Sequence, residues 1–191
     1  MSWIVSICLG IALSAACGFR VFIPLLAASL ASHWGIVPLT ANLAWMGSWA
    51  ATACFATAAV IEVAAYYIPF VDNLLDTITT PLSLAAGTML SASMLTGTND
   101  PLIQWGLGAV VGGGSAGVVQ AGTSFIRAKL SAFTGGTGNA AFSTAENGLA
   151  ATLSVVAIAI PLVTAAAVCA LFYFIIKKIF FKNKKRNEKN I

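Results

Sequence analysis

Five long apolar segments, separated by short polar stretches, make up most of the 191-residue chain. They cover residues 3–30, 43–67, 74–96, 102–130 and 147–177. Each is long enough for the roughly 20 residues that a helix needs to cross a bilayer. The stretches between them are rich in Gly, Asn, Ser and Thr, which favour turns and loops. The pattern therefore predicts an all-α fold, a polytopic transmembrane helical bundle of about five spans.

Composition supports this class, because 59% of the residues are hydrophobic and only 8% are charged, against roughly 25% charged in soluble domains. The basic tail 177–191 holds seven Lys or Arg residues and one Glu. The positive-inside rule places such a tail in the cytoplasm, where it can contact anionic membrane lipids. We therefore expect one transmembrane domain over 1–176, with a cytoplasmic C-terminus and no role in binding nucleic acid.

The five-span prediction carries one conflict. With the tail inside, segments 67–75 and 131–146 fall outside, so Arg127 and Lys129 lie near the outer end of the fourth span. This placement opposes the positive-inside rule. Either acidic partners hold these two residues, or one segment is re-entrant and the span count changes by one.

The first segment is a candidate for such a break. At 28 residues it would be about 42 Å long as one helix, against about 30 Å for the hydrocarbon core. Gly18 adds flexibility, and Pro24 cannot donate a backbone hydrogen bond to residue 20. We expect a broken or re-entrant segment near 18–24 or 131–146, with hinges at Gly18, Pro24 and Pro69.

Ionisable residues within the apolar region are the candidate chemistry, because such residues usually line a polar interior and pair with one another. We expect Arg20 to pair with Glu62 or Asp72, and Arg127 to pair with Glu146. A guanidinium binds a phosphate or carboxylate in bidentate fashion. The predicted binding residues for an anionic small molecule or lipid head group are Arg20, Glu62, Asp72, Asp76, Arg127, Asn139 and Glu146.

Other chemistry has weaker support in the sequence. Asp72 and Asp76 could share a helix face and hold Mg²⁺ with a diphosphate, but the second acidic cluster that membrane prenyltransferases use is missing. The simpler interpretation is that these acids favour a helix N-terminus. The four cysteines and His33 form no ligand pattern. We assign no catalytic residue, cofactor or metal.

A row of small residues marks the fourth segment. Gly108 and Gly112 are four residues apart, as are Gly113 and Gly117. Such rows let a second helix approach closely. The neighbour is either another helix of this chain or a second copy in a homo-oligomer.

Three blocks of the chain resemble a known family. They read G18-F-R20-V-F-I-P24, then E62-V-A-A-Y-Y-I-P69-F-V-D72-N-L-L-D76, then T123-S-F-I-R127 with G138-N139-A-A-F-S143-T-A-E146-N147. Over residues 10–175 the chain is similar to the small bacterial membrane proteins of domain-of-unknown-function family 4126. The resemblance implies a single membrane domain in the bacterial inner membrane and no particular activity. The family often has Asp where this chain has Asn147, so a mechanism that needs two acids there is in doubt.

Two functions are compatible with these features. The first is a small transporter, channel or lipid-moving protein that handles an anion in a cavity lined by Arg, Glu and Asp. The alternative is a structural or assembly subunit whose intramembrane ion pairs are static.

Overall fold

The computed structural model describes residues 2–68, 71–98, 100–135 and 138–187, so the predicted hinge Pro69 lies outside the described residues. The described part is all-α, as predicted, with a 3₁₀ segment at Ala41–Gly47 and a π-helical segment at Gly108–Gly113. Its eight α-helices are α1 (Trp3–Cys17), α2 (Phe22–His33), α3 (Trp49–Ala65), α4 (Val71–Met94), α5 (Pro101–Leu107), α6 (Gly114–Thr134), α7 (Gly138–Ala159) and α8 (Pro161–Asn187).

Two helical stretches of the described chain are long and apolar enough to cross a membrane. One is the continuous run Pro101–Thr134 and the other is Gly138–Ala159. A third is possible if the 3₁₀ segment and α3, which meet at 63°, form one bent span. Five spans are therefore not shown by length and composition.

The first predicted span is two short antiparallel helices instead of one long helix. Along α1, Ser14 donates to the carbonyl of Gly87 at 2.7 Å, and Trp3 packs against Gly97 at the far end of α4. Along α2, Phe22 lies beside Glu62, and His33 lies beside Gly47 just before α3. Both α1 and α2 therefore run antiparallel to their long neighbours. Because α3 and α4 themselves run in opposite directions, α1 and α2 form a hairpin with its tip at 18–21.

The sequence permits this hairpin for two reasons. The second half of α1 is buried on every side, as expected for a helix that is apolar all round. Gly18 then lets the tip approach α6, because a Cβ at this position would lie 2.5 Å from the Ala116 carbonyl oxygen. Pro24 lies in the first turn of α2, where a missing N–H is tolerated. The helix is interrupted between Cys17 and Phe22, before Pro24 and within the predicted interval 18–24.

The predicted loop over 131–146 is wrong for most of its length. Helix α6 continues to Thr134, and Gly135 ends it with a left-handed φ of 61°. Helix α7 already begins at Gly138. The segment looked loop-like because it is polar, but Asn139, Ser143 and Glu146 lie on one buried helix face.

The predicted span 147–177 is also corrected. It is broken at Ile160, because Pro161 has no N–H and begins a new helix. Helix α8 turns back along α7, since Thr164 Oγ1 bonds the carbonyl of Val156. Leu149 of α7 and Leu171 of α8 line the same apolar cavity of about 400 Å³. Helix α8 therefore runs towards the hairpin tip, and the described part of the basic tail, up to Asn187, is its C-terminal end.

Candidate functional site

Arg20 lies at the tip of the α1–α2 hairpin and is only 1% exposed. Its Nε donates to Asn147 Oδ1 at 2.5 Å, and its Nη2 donates to the carbonyl of Ser143 at 3.3 Å. Its Nη1 donates to the carbonyl of Phe19 and lies 3.0 Å from Glu146 Oε2. The break in the helix thus delivers a guanidinium into the interior, and α7 supplies most of its acceptors.

Arg127 reaches the same place from α6 and is 2% exposed. Its Nη2 forms an ion pair with Glu146 Oε2, and its Nη1 donates to Ser143 Oγ at 3.0 Å. Its Nε lies 3.2 Å from Asp76 Oδ2 on α4. The expected pair of Arg127 with Glu146 is therefore present. One carboxylate oxygen of Glu146 serves both arginines.

Tyr66, at the end of α3, joins the two guanidinium groups. The carbon at the centre of the Arg20 guanidinium lies 3.8 Å from the ring centroid, and that of Arg127 lies 4.5 Å from it. The hydroxyl donates to Asp76 Oδ1 at 3.2 Å and lies 3.0 Å from Thr79 Oγ1. The ring therefore stabilises both cations through cation–π contacts, and its hydroxyl ties them to α4.

Glu62 has a different partner from the one that the sequence suggested. Its two carboxylate oxygens accept hydrogen bonds from the backbone N–H groups of Val21 and Phe22 at 2.9 and 3.0 Å. These groups lie at the start of α2, where backbone donors lack helical partners. Glu62 thus holds the hairpin tip, and Arg20 forms its ion pair with Glu146.

Asp72 and Asn139 form the edge of the cluster at the start of α4 and α7. Asn139 Nδ2 donates to Asp72 Oδ2 and to Ser131 Oγ, each at 2.8 Å. Both residues are buried. All seven residues predicted to bind an anion therefore gather at one end of the bundle.

Three residues of the cluster were not predicted as site residues from the sequence: Tyr66, Ser143 and Asn147. Their spacing along a helix could have identified each of them. Tyr66 follows Glu62 by four residues, and Ser143 and Asn147 follow Asn139 by four and eight, so each pair shares a helix face. The loop prediction for 131–146 hid this spacing on α7.

The glycine row lies against α4 within the chain. A Cβ on Gly108 would lie 2.8 Å from the Thr88 carbonyl oxygen, and one on Gly113 would lie 2.7 Å from Thr88 Oγ1. Gly112 meets the backbone of Gly87 still more closely, while Gly117 has ordinary contact with Leu84. The close neighbour of this row is another helix of the same chain.

The arrangement offers two guanidinium groups and four carboxylates in a buried setting. Within the described residues, no three His, Cys, Asp or Glu side chains are grouped so that they could hold a metal ion. Asp72 and Asp76 instead contact Asn139 and the Arg127–Tyr66 pair. The interactions that the described residues make here are buried ion pairs and hydrogen bonds.

A family model for a domain of unknown function, DUF4126, matches residues 7–180. The chain belongs to the DUF4126 family. The match covers the hairpin, the glycine row and every member of the charged cluster, and it confirms the resemblance seen in the sequence. A search of curated proteins and a search of solved structures each found no match. The DUF4126 name assigns no function, so any function must be argued from the site.

Proposed function

We propose that the chain is an integral membrane protein with five crossings and a re-entrant hairpin. Helices α1 and α2 are 15 and 12 residues long, which is about 22 and 18 Å and too short to cross a 30 Å core. The crossings would be α3 with its 3₁₀ segment, α4, the α5–α6 run, α7 and α8. Large apolar side chains exposed along these helices would face lipid, among them Val60, Leu102, Val110, Phe125 and Val155.

The tryptophans support a membrane boundary at the end of the bundle opposite the cluster. All five lie at this end and are between 42% and 67% exposed: Trp3, Trp34, Trp45, Trp49 and Trp105. Tryptophan is enriched where a membrane meets water. Glu62 is 13 residues along α3 from Trp49, so the cluster lies about 20 Å from this boundary.

The same geometry supports a cytoplasmic position for the cluster end. Because α8 turns back along α7, the described part of the basic tail begins at the end where Arg127 and Lys129 also lie. A cytoplasmic tail then puts all of these cations on one side, in agreement with the positive-inside rule. In the proposed arrangement the conflict in the simple five-span prediction disappears, because α7 and α8 are two crossings and not one.

Within this frame we propose that the protein is a small transporter, channel or lipid-moving protein for an anionic ion or head group. The observation that carries the proposal is the pair of buried arginines, of which Arg20 lies at a helix break, both held by one oxygen of Glu146. Breaks of this kind at membrane depth are tolerated where they are buried in protein or line a polar cavity. In this interpretation the structure is an occluded state in which carboxylates of the protein bind the two arginines.

A static structural or assembly subunit is the second candidate, and a specific observation favours it. Arg20 uses its Nε and both terminal nitrogens on protein acceptors. Such a saturated network can lock helices together without any ligand. It then acts as a strut, and breaking it leaves an uncompensated buried charge at a cost of about 3–5 kcal/mol.

Native mass spectrometry of the detergent-purified protein separates the two functions. The samples are wild type, Arg20→Ala, Arg127→Ala and the matched control Lys129→Gln, which removes an exposed charge two residues from Arg127. A transporter or lipid-moving protein retains a phosphate-bearing ligand that folded Arg20→Ala and Arg127→Ala lose and Lys129→Gln keeps. A wild-type protein without bound ligand, together with arginine variants that unfold, would contradict the proposal and support the static structural role. The same spectra test whether copies associate into a homo-oligomer.

A further inference from the structure

Glu146 occupies the position that a bound oxyanion would need. Its side chain is 2% exposed, and a single oxygen, Oε2, faces both Arg20 and Arg127. A tetrahedral or planar oxyanion would bind the same two guanidinium groups, because their donors are arranged to grip carboxylate or phosphate oxygens. The internal carboxylate and an external anion therefore compete for the same donors.

The charges around Glu146 decide what must accompany such an exchange. Arg20 at the hairpin tip and Arg127 on α6 attract it, while Asp76 on α4 and Glu62 on α3 repel it. With Asp72, the cluster has four carboxylates, three buried and Asp76 partly exposed, against two guanidinium groups. An added anion would increase a negative excess that is already buried. Buried charges without partners are costly, so the exchange needs a compensating positive charge.

We infer that the site takes up an oxyanion and a proton together, with Glu146 as the proton acceptor. A proton from water binds the displaced carboxylate and makes it a neutral carboxylic acid. The two guanidinium groups keep their charge and bind two oxygens of the incoming anion. Release reverses both steps, so the anion and the proton move together. The inference rests on the proposed function and adds the coupling and the class of ligand, a phosphate or similar oxyanion.

The test is the binding of radiolabelled inorganic phosphate to the full-length protein between about pH 5.5 and 7.5. Wild type is compared with Glu146→Gln, which cannot take up the proton, and with Lys129→Gln as the charge control. Phosphate also changes its own ionisation in this range, so Glu146→Gln measures that contribution. A parallel arm incubates each protein with phosphatidate or phosphatidylcholine micelles and records the retained lipid by native mass spectrometry. It distinguishes a lipid head group from free phosphate.

We expect wild-type affinity, relative to Glu146→Gln, to rise about tenfold for each pH unit of acidification, which is the linkage of one proton. At pH 7.5 Glu146→Gln should bind at least about a hundredfold more tightly than wild type, because its arginines are no longer neutralised by a carboxylate, and wild type should approach it at pH 5.5. Lys129→Gln should follow wild type. If Glu146→Gln does not fold, Glu146→Asp keeps a titratable group and should preserve the pH dependence.

Two results would overturn the inference, and only one of them would also contradict the proposed anion-handling function. Equal pH dependence in wild type and Glu146→Gln would eliminate the proton coupling but leave an anion site. No retention of phosphate or phosphatidate by any variant at any pH would eliminate both the coupling and the anion-handling function.

Discussion

At the scale of single residues, the cluster is held by shared partners and not by isolated pairs. Glu146 Oε2 serves two arginines, Ser143 accepts from both through its carbonyl and hydroxyl, and Tyr66 lies under both guanidinium groups. Effects of substitutions among residues in one network are not additive. A single change should therefore disturb Arg20 and Arg127 together.

Tyr66 gives the clearest residue-scale prediction. Tyr66→Phe keeps the ring and loses the hydroxyl bond to Asp76, so it should lower the free energy of unfolding by about 1–2 kcal/mol. Tyr66→Leu should lower the free energy of unfolding by about 1–3 kcal/mol more, because two cation–π contacts are also lost. Unfolding in mixed micelles measures both values. Tyr173→Phe, at a tyrosine that is 60% exposed and lies outside the cluster, is the control and should change little. Equal losses in the two Tyr66 variants would show that the ring contacts contribute nothing.

At the scale of helices, the hairpin α1–α2 is the element whose stability depends on a distant side chain. Its tip has backbone donors at Val21 and Phe22 that lack a partner within the helix, and α3 supplies the acceptor through Glu62. A charged acceptor forms stronger hydrogen bonds than a neutral one. Glu62 therefore sets how readily the tip opens.

Glu62→Gln should loosen the tip while leaving the bundle folded. The amide oxygen of Gln can accept only part of what the two carboxylate oxygens accept, so amide hydrogen exchange over 18–23 should accelerate by roughly tenfold. Hydrogen exchange with mass spectrometry compares this peptide with one from the middle of α4, which should not change. Asp100→Asn, at the exposed N-cap of α5, is the matched control. Unchanged exchange at the tip would mean that Glu62 does not hold it.

Helix bounds show where the sequence was informative. The expected segments 74–96 and 102–130 lie close to α4 and to the run Pro101–Thr134, because apolar length and turn residues such as Asp100 and Pro101 are local signals. The hairpin and the start of α7 were harder to predict. Polar residues on α7 are buried against charged residues of α4 and α6. Their polarity serves tertiary contacts, but in the sequence it looks like the polarity of a loop. That the charged residues lie together was predictable, because so few charges occur in the apolar region. The partner of Glu62 was not predictable, because it depends on a helix break that composition does not reveal.

At the scale of the whole molecule, the fold separates two chemically different ends. One end holds all five tryptophans, and the other holds the charged cluster and the start of the basic tail. A bilayer interface accommodates exposed aromatic side chains, and the cytoplasmic face favours Lys and Arg. The proposed function needs this polarity, because the hairpin would enter the membrane from the tryptophan side and bring Arg20 towards the cytoplasmic side.

This orientation predicts a labelling pattern for single cysteines. In a background where the four native cysteines are replaced by Ala, Thr98→Cys lies at the tryptophan end and Thr134→Cys lies at the cluster end. A membrane-impermeant maleimide applied to intact cells should label Thr98→Cys at once and Thr134→Cys only after lysis. A C-terminal fusion to a reporter that is fluorescent only in the cytoplasm should be bright, since the tail shares the side of Thr134. The opposite labelling pattern would reverse the orientation. Labelling of both cysteines in intact cells would instead show that the two ends do not lie on opposite sides of a membrane, and the five-crossing arrangement would fail with the orientation.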